Sequence, residues 1–202
     1  MKLRSALSKL SCASAFALGS MLTLSPAANA MKLKQQNLQE MAVVSQSIIA
    51  GQVVSVTDGF DNNSPYTEVT IQVSSDAKGK LKDDSNYTFR QFGLIKPRSM
   101  GNGKVYLGVT PDGFAKWHEG ETVIAFMYKP ASITGFQTTA GMAQGKFIVR
   151  DGKVLNQFAN SGLFEGMDTA NFSHEERNML TNPQDINVDE FMHLVGKLAG
   201  EK

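Results

Sequence analysis

The chain has 202 residues with twenty Lys and Arg, nineteen Asp and Glu, and one cysteine. Charges of both signs are mixed along its length, which excludes the basic, counterion-displacing face that nucleic-acid binding requires. The lone thiol, Cys12, lies in a segment expected to be removed, which excludes disulfides, thiolate metal sites and a cysteine nucleophile from the remainder.

Residues 1–30 read as a leader. Lys2, Arg4 and Lys9 precede an apolar run over 10–24, shorter than the roughly 20 residues a membrane span needs. Ser25-Pro26 breaks that run, and Ala28-Asn29-Ala30 presents small side chains at alternate positions, so export with cleavage after Ala30 into the periplasm or medium is predicted. A lipoprotein signal at Cys12 is disfavoured by Lys9, which stands where such signals carry an apolar side chain. Without the leader, seventeen cations face nineteen anions over 172 residues, a net charge of −2. No further apolar segment is long enough to cross a membrane, so a soluble domain that buries roughly 70% of its unfolded surface is expected.

In NLQEMAVV, Leu38, Met41 and Val44 share one helical face. SIIAGQVVSV, 47–56, is a strand buried on both faces, with a bulge or sharp bend expected at Gly51. VTDGFDNNSPY is rich in turn formers and longer than a tight hairpin loop, so 57–66 is expected to form a binding lip. TEVTIQVSS alternates as a half-exposed strand, and NYTFRQF is the third strand. Asn102-Gly103 signals a type I′ hairpin before KVYLGV, and Asp112-Gly113 a further turn. TVIAFMY, 122–128, is apolar on both faces and reads as a central strand. FIVR and KVLNQ flank Asp151-Gly152 as a hairpin. Residues 158–172 show no period. Ser173 with Glu176, and Asn187 with Glu190, fit capping boxes, and Phe191, Leu194, Val195 and Leu198 form the stripe of a docking helix. These elements predict a mainly β fold: a small closed or partly open antiparallel barrel, OB-like, with a short N-terminal helix and a C-terminal helical tail. The barrel is assigned to 31–158 and the irregular segment plus helix to 159–202.

Few motifs carry chemistry. GMAQGKF, 141–147, resembles a phosphate loop but has one residue too few between its glycines, Phe147 in place of the hydroxyl, and a strand after it where the motif opens a helix. It is therefore read as a bend entering a hairpin, with Lys146 a surface charge. HEGE at His118 and HEER at His174 lack the second histidine of a zincin, and His193 stands alone in the last helix. Asp58, Asp61, Asn62 and Asn63 lack the spacing of a calcium loop, and no G-x-S-x-G is present. No cofactor, metal or catalytic residue is assigned. Of the aromatic residues, Phe89 and Phe114 are given to the interior. Tyr66, Tyr87, Trp117 and the rim residue His118 are the candidate binding set, with Tyr66 and Trp117 weighed between exposure and burial.

Together SIIAGQVVSV, YTEVTIQV, WHEGETVIAFMY and GMAQGKFIVRDGKV resemble an uncharacterised family of exported bacterial OB-like β-barrel proteins, whose most specific mark is the A-Q-G-K-F segment. The resemblance covers roughly residues 38–157 and implies a secreted barrel without an established catalytic apparatus. Its first strands are also similar in order to netrin and tissue-inhibitor barrels, which implies a protease inhibitor or companion. Those inhibitors chelate the protease metal through an N-terminal cysteine, whereas this chain would begin at Met31 without one. The leading expectation is an exported, soluble, non-enzymatic module that binds a protein or glycan through a barrel face and the 57–66 loop. A hydrolase using paired carboxylates is the alternative from another class.

Overall fold

The computed structural model describes residues 34–200; the expected leader and its cleavage site lie outside the described residues. Helix α1, Leu38–Val44, opens on a capping box in which Asn37 accepts from the Glu40 amide at 2.8 Å while Glu40 accepts from the Asn37 amide at 3.1 Å. Leu38 and Met41 are buried, but Val44, expected on their face, is exposed where the helix ends.

Strands β1, Ser47–Asp61, and β2, Ser64–Asp76, form a long antiparallel ribbon. Its turn is the two-residue Asn62-Asn63, with φ of 46° and 63°, which is the left-handed pair that a type I′ hairpin needs. The expected 57–66 lip is therefore corrected to paired strand ending in a tight turn. The ribbon's inner end carries the predicted irregularity, a register shift between Ala50 and Gly51. There the β2 backbone comes so close that a Cβ on Gly51 would meet the Gln72 carbonyl oxygen at 2.1 Å.

Strands β3, Asn86–Phe92; β6, Thr122–Met127; β7, Lys146–Arg150; and β8, Lys153–Asn156, complete a six-stranded antiparallel sheet in the order β3-β2-β1-β6-β7-β8. Of the two forms expected, closed or partly open, the structure takes the open one, since β3 and β8 remain its edges. Segment 136–140 doubles back on the end of β6, where Ala140 N donates to the Phe126 carbonyl at 2.6 Å, and also reaches β3, where Gln137 N donates to the Arg90 carbonyl at 2.7 Å.

β1 and β6 sit mid-sheet with a core on each side. Ile48, Ile124 and Phe126 face one core, which also takes Leu38 and Met41 of α1 and Phe191, Leu194 and Val195 of the last helix. Ile49, Val123, Ala125 and Met127 face the other, with Val69, Ile71, Phe89 and Trp117. Two covered faces explain why the central strands are apolar at successive positions.

The hairpin at Asp151-Gly152 forms as expected, with φ of 51° and 71°. A hairpin also forms across Asn102-Gly103, but not through the expected type I′ turn. A two-stranded arm, β4, Arg98–Ser99, with β5, Val105–Tyr106, is joined by a wider turn closed by Met100 N donating to the Lys104 carbonyl at 2.9 Å, and left-handed φ falls on Gly101 and Gly103 rather than Asn102. KVYLGV thus contributes two residues to the arm's ladder, and Val109 forms a separate parallel bridge with Leu94. Helix α2, His174–Thr181, has the predicted reciprocal box between Ser173 and Glu176. Helix α3, Val188–Ala199, is capped by the Asn187 side chain alone. Among the described residues, no helix is long and apolar enough to cross a membrane.

Candidate functional site

Among the described residues, the one buried lysine is Lys146, the first residue of β7. A 3-10 turn, Met142–Gly145, delivers the chain to this point. Gly145 packs so tightly that a Cβ would sit 2.2 Å from the Ala140 carbonyl oxygen, and this close approach seats the next side chain inside. Lys146 is 6% exposed, which corrects its reading as a surface charge. Its Nζ donates to the Lys116 carbonyl at 2.5 Å and to Glu121 Oε2. The same Nζ lies 4.8 Å from the Trp117 ring centroid, in cation–π contact.

Glu121 comes from the turn before β6, where Gly120 has a φ of 85° and donates its amide to Val53 at 2.8 Å. Its carboxylate joins an outer residue to an inner one: Oε1 meets His118 Nδ1 at 3.0 Å and Oε2 meets Lys146. His118 is exposed, Glu121 half-buried and Lys146 buried. Burial pushes the Lys146 ammonium below the ordinary lysine range, against the opposing pull of Glu121. Burial also raises the Glu121 carboxyl, but the hydrogen bond and charge of Lys146, with the bonds from His118, outweigh it and hold Glu121 below its usual range. Beside this relay lies a cavity of about 210 Å³, bounded by His118, Glu121, Lys146, Ile148, Asn156 and Gln157. A wider hollow of about 450 Å³ between Phe92, Phe114, Tyr128 and Phe136 is mainly apolar, and no pair of ionised side chains meets in it.

The structure thus joins two of the four sequence candidates. Trp117 and His118 are neighbours at the Lys146 site, but Trp117 is buried rather than displayed. Its Nε1 donates to Gln91 at 3.1 Å and its ring packs edge-on to Phe89 at 5.2 Å. Tyr66 and Tyr87 do not line the cavity. Tyr66 lies over Gly59 on the paired strand, where a Cβ would be 2.7 Å from its hydroxyl, and the Arg90 guanidinium covers its ring at 4.3 Å. Tyr87 donates to Gln137 at 2.8 Å. Burial pushes its phenol up to about 12, with the Gln137 bond opposing and the charge of Asp76 adding.

Asp58 and Asp61, weighed as calcium ligands, are engaged by arginines: Asp58 by Arg98, and Asp61 by Arg90 at 3.6 Å. Among the described residues, no three His, Cys, Asp or Glu side chains are placed to hold a metal ion.

A second feature lies on the arm. Asp58 pairs with Arg98 and accepts from the Ile95 amide at 2.8 Å, while Phe60 packs edge-on to Tyr106 at 5.5 Å, so the arm is held against the ribbon. Tyr106 and Gly108 face that contact. The alternate residues Val105, Leu107 and Val109 are 56%, 71% and 44% exposed, the last two on either side of a turn at Gly108 in which the Val109 amide donates to the Leu107 carbonyl at 2.6 Å. Ile95 and Met100 on the same arm are also exposed. The period-two pattern of this row was present in KVYLGV, but only the structure shows that its apolar side faces outward. Nothing in the sequence marked Lys146 as buried, since its carboxylate partner is 25 residues away.

Compared with protein-family models, with curated proteins and with solved structures, the chain matches none.

Proposed function

We propose that this chain is an exported, soluble, non-enzymatic module, freed of its leader after Ala30, that docks a protein partner through the outward face of the β4–β5 arm. The observation that carries this reading is the exposed row Val105, Leu107 and Val109 on an arm fixed to the ribbon. Several exposed apolar side chains close together in sequence on a braced element suit a protein contact. The arm also carries Lys96 and Lys104, besides Arg98, which is paired with Asp58, and no acidic residue stands anywhere in 94–111. Its partner is accordingly a protein surface with an apolar patch edged by Asp or Glu. The glycan reading loses its stacking platforms, because Trp117 is buried and Arg90 covers Tyr66. The kinship suggested by the A-Q-G-K-F segment is part of this proposal and adds no chemistry to it.

The test compares the protein with a Val105→Ser, Leu107→Ser, Val109→Ser variant, whose changes are exposed and leave both cores intact. Each is used to capture partners from periplasm and medium, and the protein retained is identified, purified and titrated. The expected result is one partner whose affinity falls at least roughly tenfold in the variant, with hydrogen-exchange protection of 98–109 in the complex. Equal binding by both proteins, self-association through the same row, or binding to anionic lipid vesicles in place of a protein would each overturn the reading.

A further inference from the structure

We propose that the Lys146 cavity captures a small aldehyde or ketone as a reversible imine on the lysine Nζ, with Glu121 as proton acceptor and donor. This goes beyond the docking role of the arm and stands independently of it. A buried amine, a carboxylate on the same nitrogen, and an adjoining space together form a carbonyl-capturing arrangement. Lys146 lines the cavity of about 210 Å³, and Glu121 Oε2, whose residue lines it too, is the hydrogen-bond partner of the lysine Nζ. That volume falls below the ~300 Å³ lower end for drug-sized ligands, so the ligand is a few non-hydrogen atoms in size. Its class follows from the amine: Lys116 and Lys146 balance Glu121 in the wall, so charge does not select the ligand, and the electrophile that a primary amine with a proton carrier at its nitrogen takes reversibly is a carbonyl carbon.

The ammonium passes one proton to Glu121, and the neutral amine attacks the carbonyl carbon. A C–N bond forms, the carbonyl π pair moves to oxygen, and a proton shifts from nitrogen to that oxygen to give a carbinolamine. Glu121 then returns its proton to the hydroxyl, which leaves as water as the nitrogen lone pair forms C=N. One carbonyl and one ammonium give one protonated imine and one water, with charge unchanged. The product therefore still presents a cation to Glu121 and to the Trp117 face. His118, bonded to the other carboxylate oxygen at 3.0 Å, holds Glu121 in position and links it to solvent.

The experiment incubates the purified protein with propanal and cyanoborohydride, which fixes any imine as a secondary amine, and maps each modified lysine by mass spectrometry against time. Lys146 is expected to be labelled roughly tenfold faster than the exposed Lys104 and Lys129, despite being far less exposed. A bulky biphenyl aldehyde should lose that preference. Labelling that follows exposure, with Lys146 spared, overturns the proposal without bearing on the arm. Glu121→Gln keeps a hydrogen-bond acceptor beside Lys146, and should slow Lys146 labelling about tenfold while leaving Lys104 unchanged. An unchanged Lys146 rate in that variant overturns the assignment of Glu121 as the proton carrier.

Discussion

A lysine ammonium held inside a protein loses hydration that its neighbours must offset. At Lys146 those neighbours are a carboxylate, a carbonyl and an indole face. Removing the carboxylate with Glu121→Ala leaves the ammonium with two neutral partners. A cost of about 2 kcal/mol is expected, below the roughly 3–5 kcal/mol of a fully buried pair, because the Glu121 side chain keeps 18% exposure. The sign of the pH effect follows from Glu121 being held below its ordinary value in the folded protein. Its contribution is complete above the unfolded carboxyl range, near 4.5, and is lost as pH falls through the lower folded value. Urea unfolding between neutral and acid pH should therefore show stability falling more steeply in the wild type than in Glu121→Gln. A parallel decline in the two proteins would contradict the assigned pairing. At this scale the sequence disclosed Trp117 and His118 as neighbours of interest, because rare residue types stand out in a string. It did not disclose Lys146, because burial of a charge depends on a partner distant in sequence, here Glu121 in the turn before β6.

Elements that carry their own pattern were legible, and those defined by a neighbour were not. TVIAFM is apolar at successive positions because both its faces are covered, and that density marked it as central. The box at Ser173 and Glu176 is local and was read directly. The ribbon misled because Asp58, Gly59 and Asp61 are poor strand formers. They are held extended by cross-strand pairing, with Gly59 opposite Tyr66 and under its ring. The arm misled for the converse reason: Asn102-Gly103 has turn chemistry, yet the turn takes its left-handed residues at Gly101 and Gly103. The bulge at Gly51 gives a sharp test. A methyl group there would collide with backbone at Gln72, which cannot swing aside as a side chain would. Gly51→Ala should cost roughly 1–3 kcal/mol in chemical denaturation, with the midpoint shifted and the slope retained. An unchanged midpoint would mean that the strands separate there at little cost.

For the whole molecule, the open sheet with a core on each face accounts for most of the apolar sequence. Phe191 of α3 packs on Phe147 and Phe126, with ring centroids 5.0 Å and 6.5 Å away, so the helical tail is part of the core. The row at Val105, Leu107 and Val109 belongs to neither core, and the proposed docking role rests on that exception. The most direct measurement is photo-crosslinking in the producing cell, with a benzophenone side chain placed at position 107 and, as control, at Leu155 on edge strand β8, which is 37% exposed. The account predicts one discrete adduct with a different protein from position 107 and none from position 155. No adduct from 107, an adduct with a second copy of the chain, or the same adducts from both positions would contradict it.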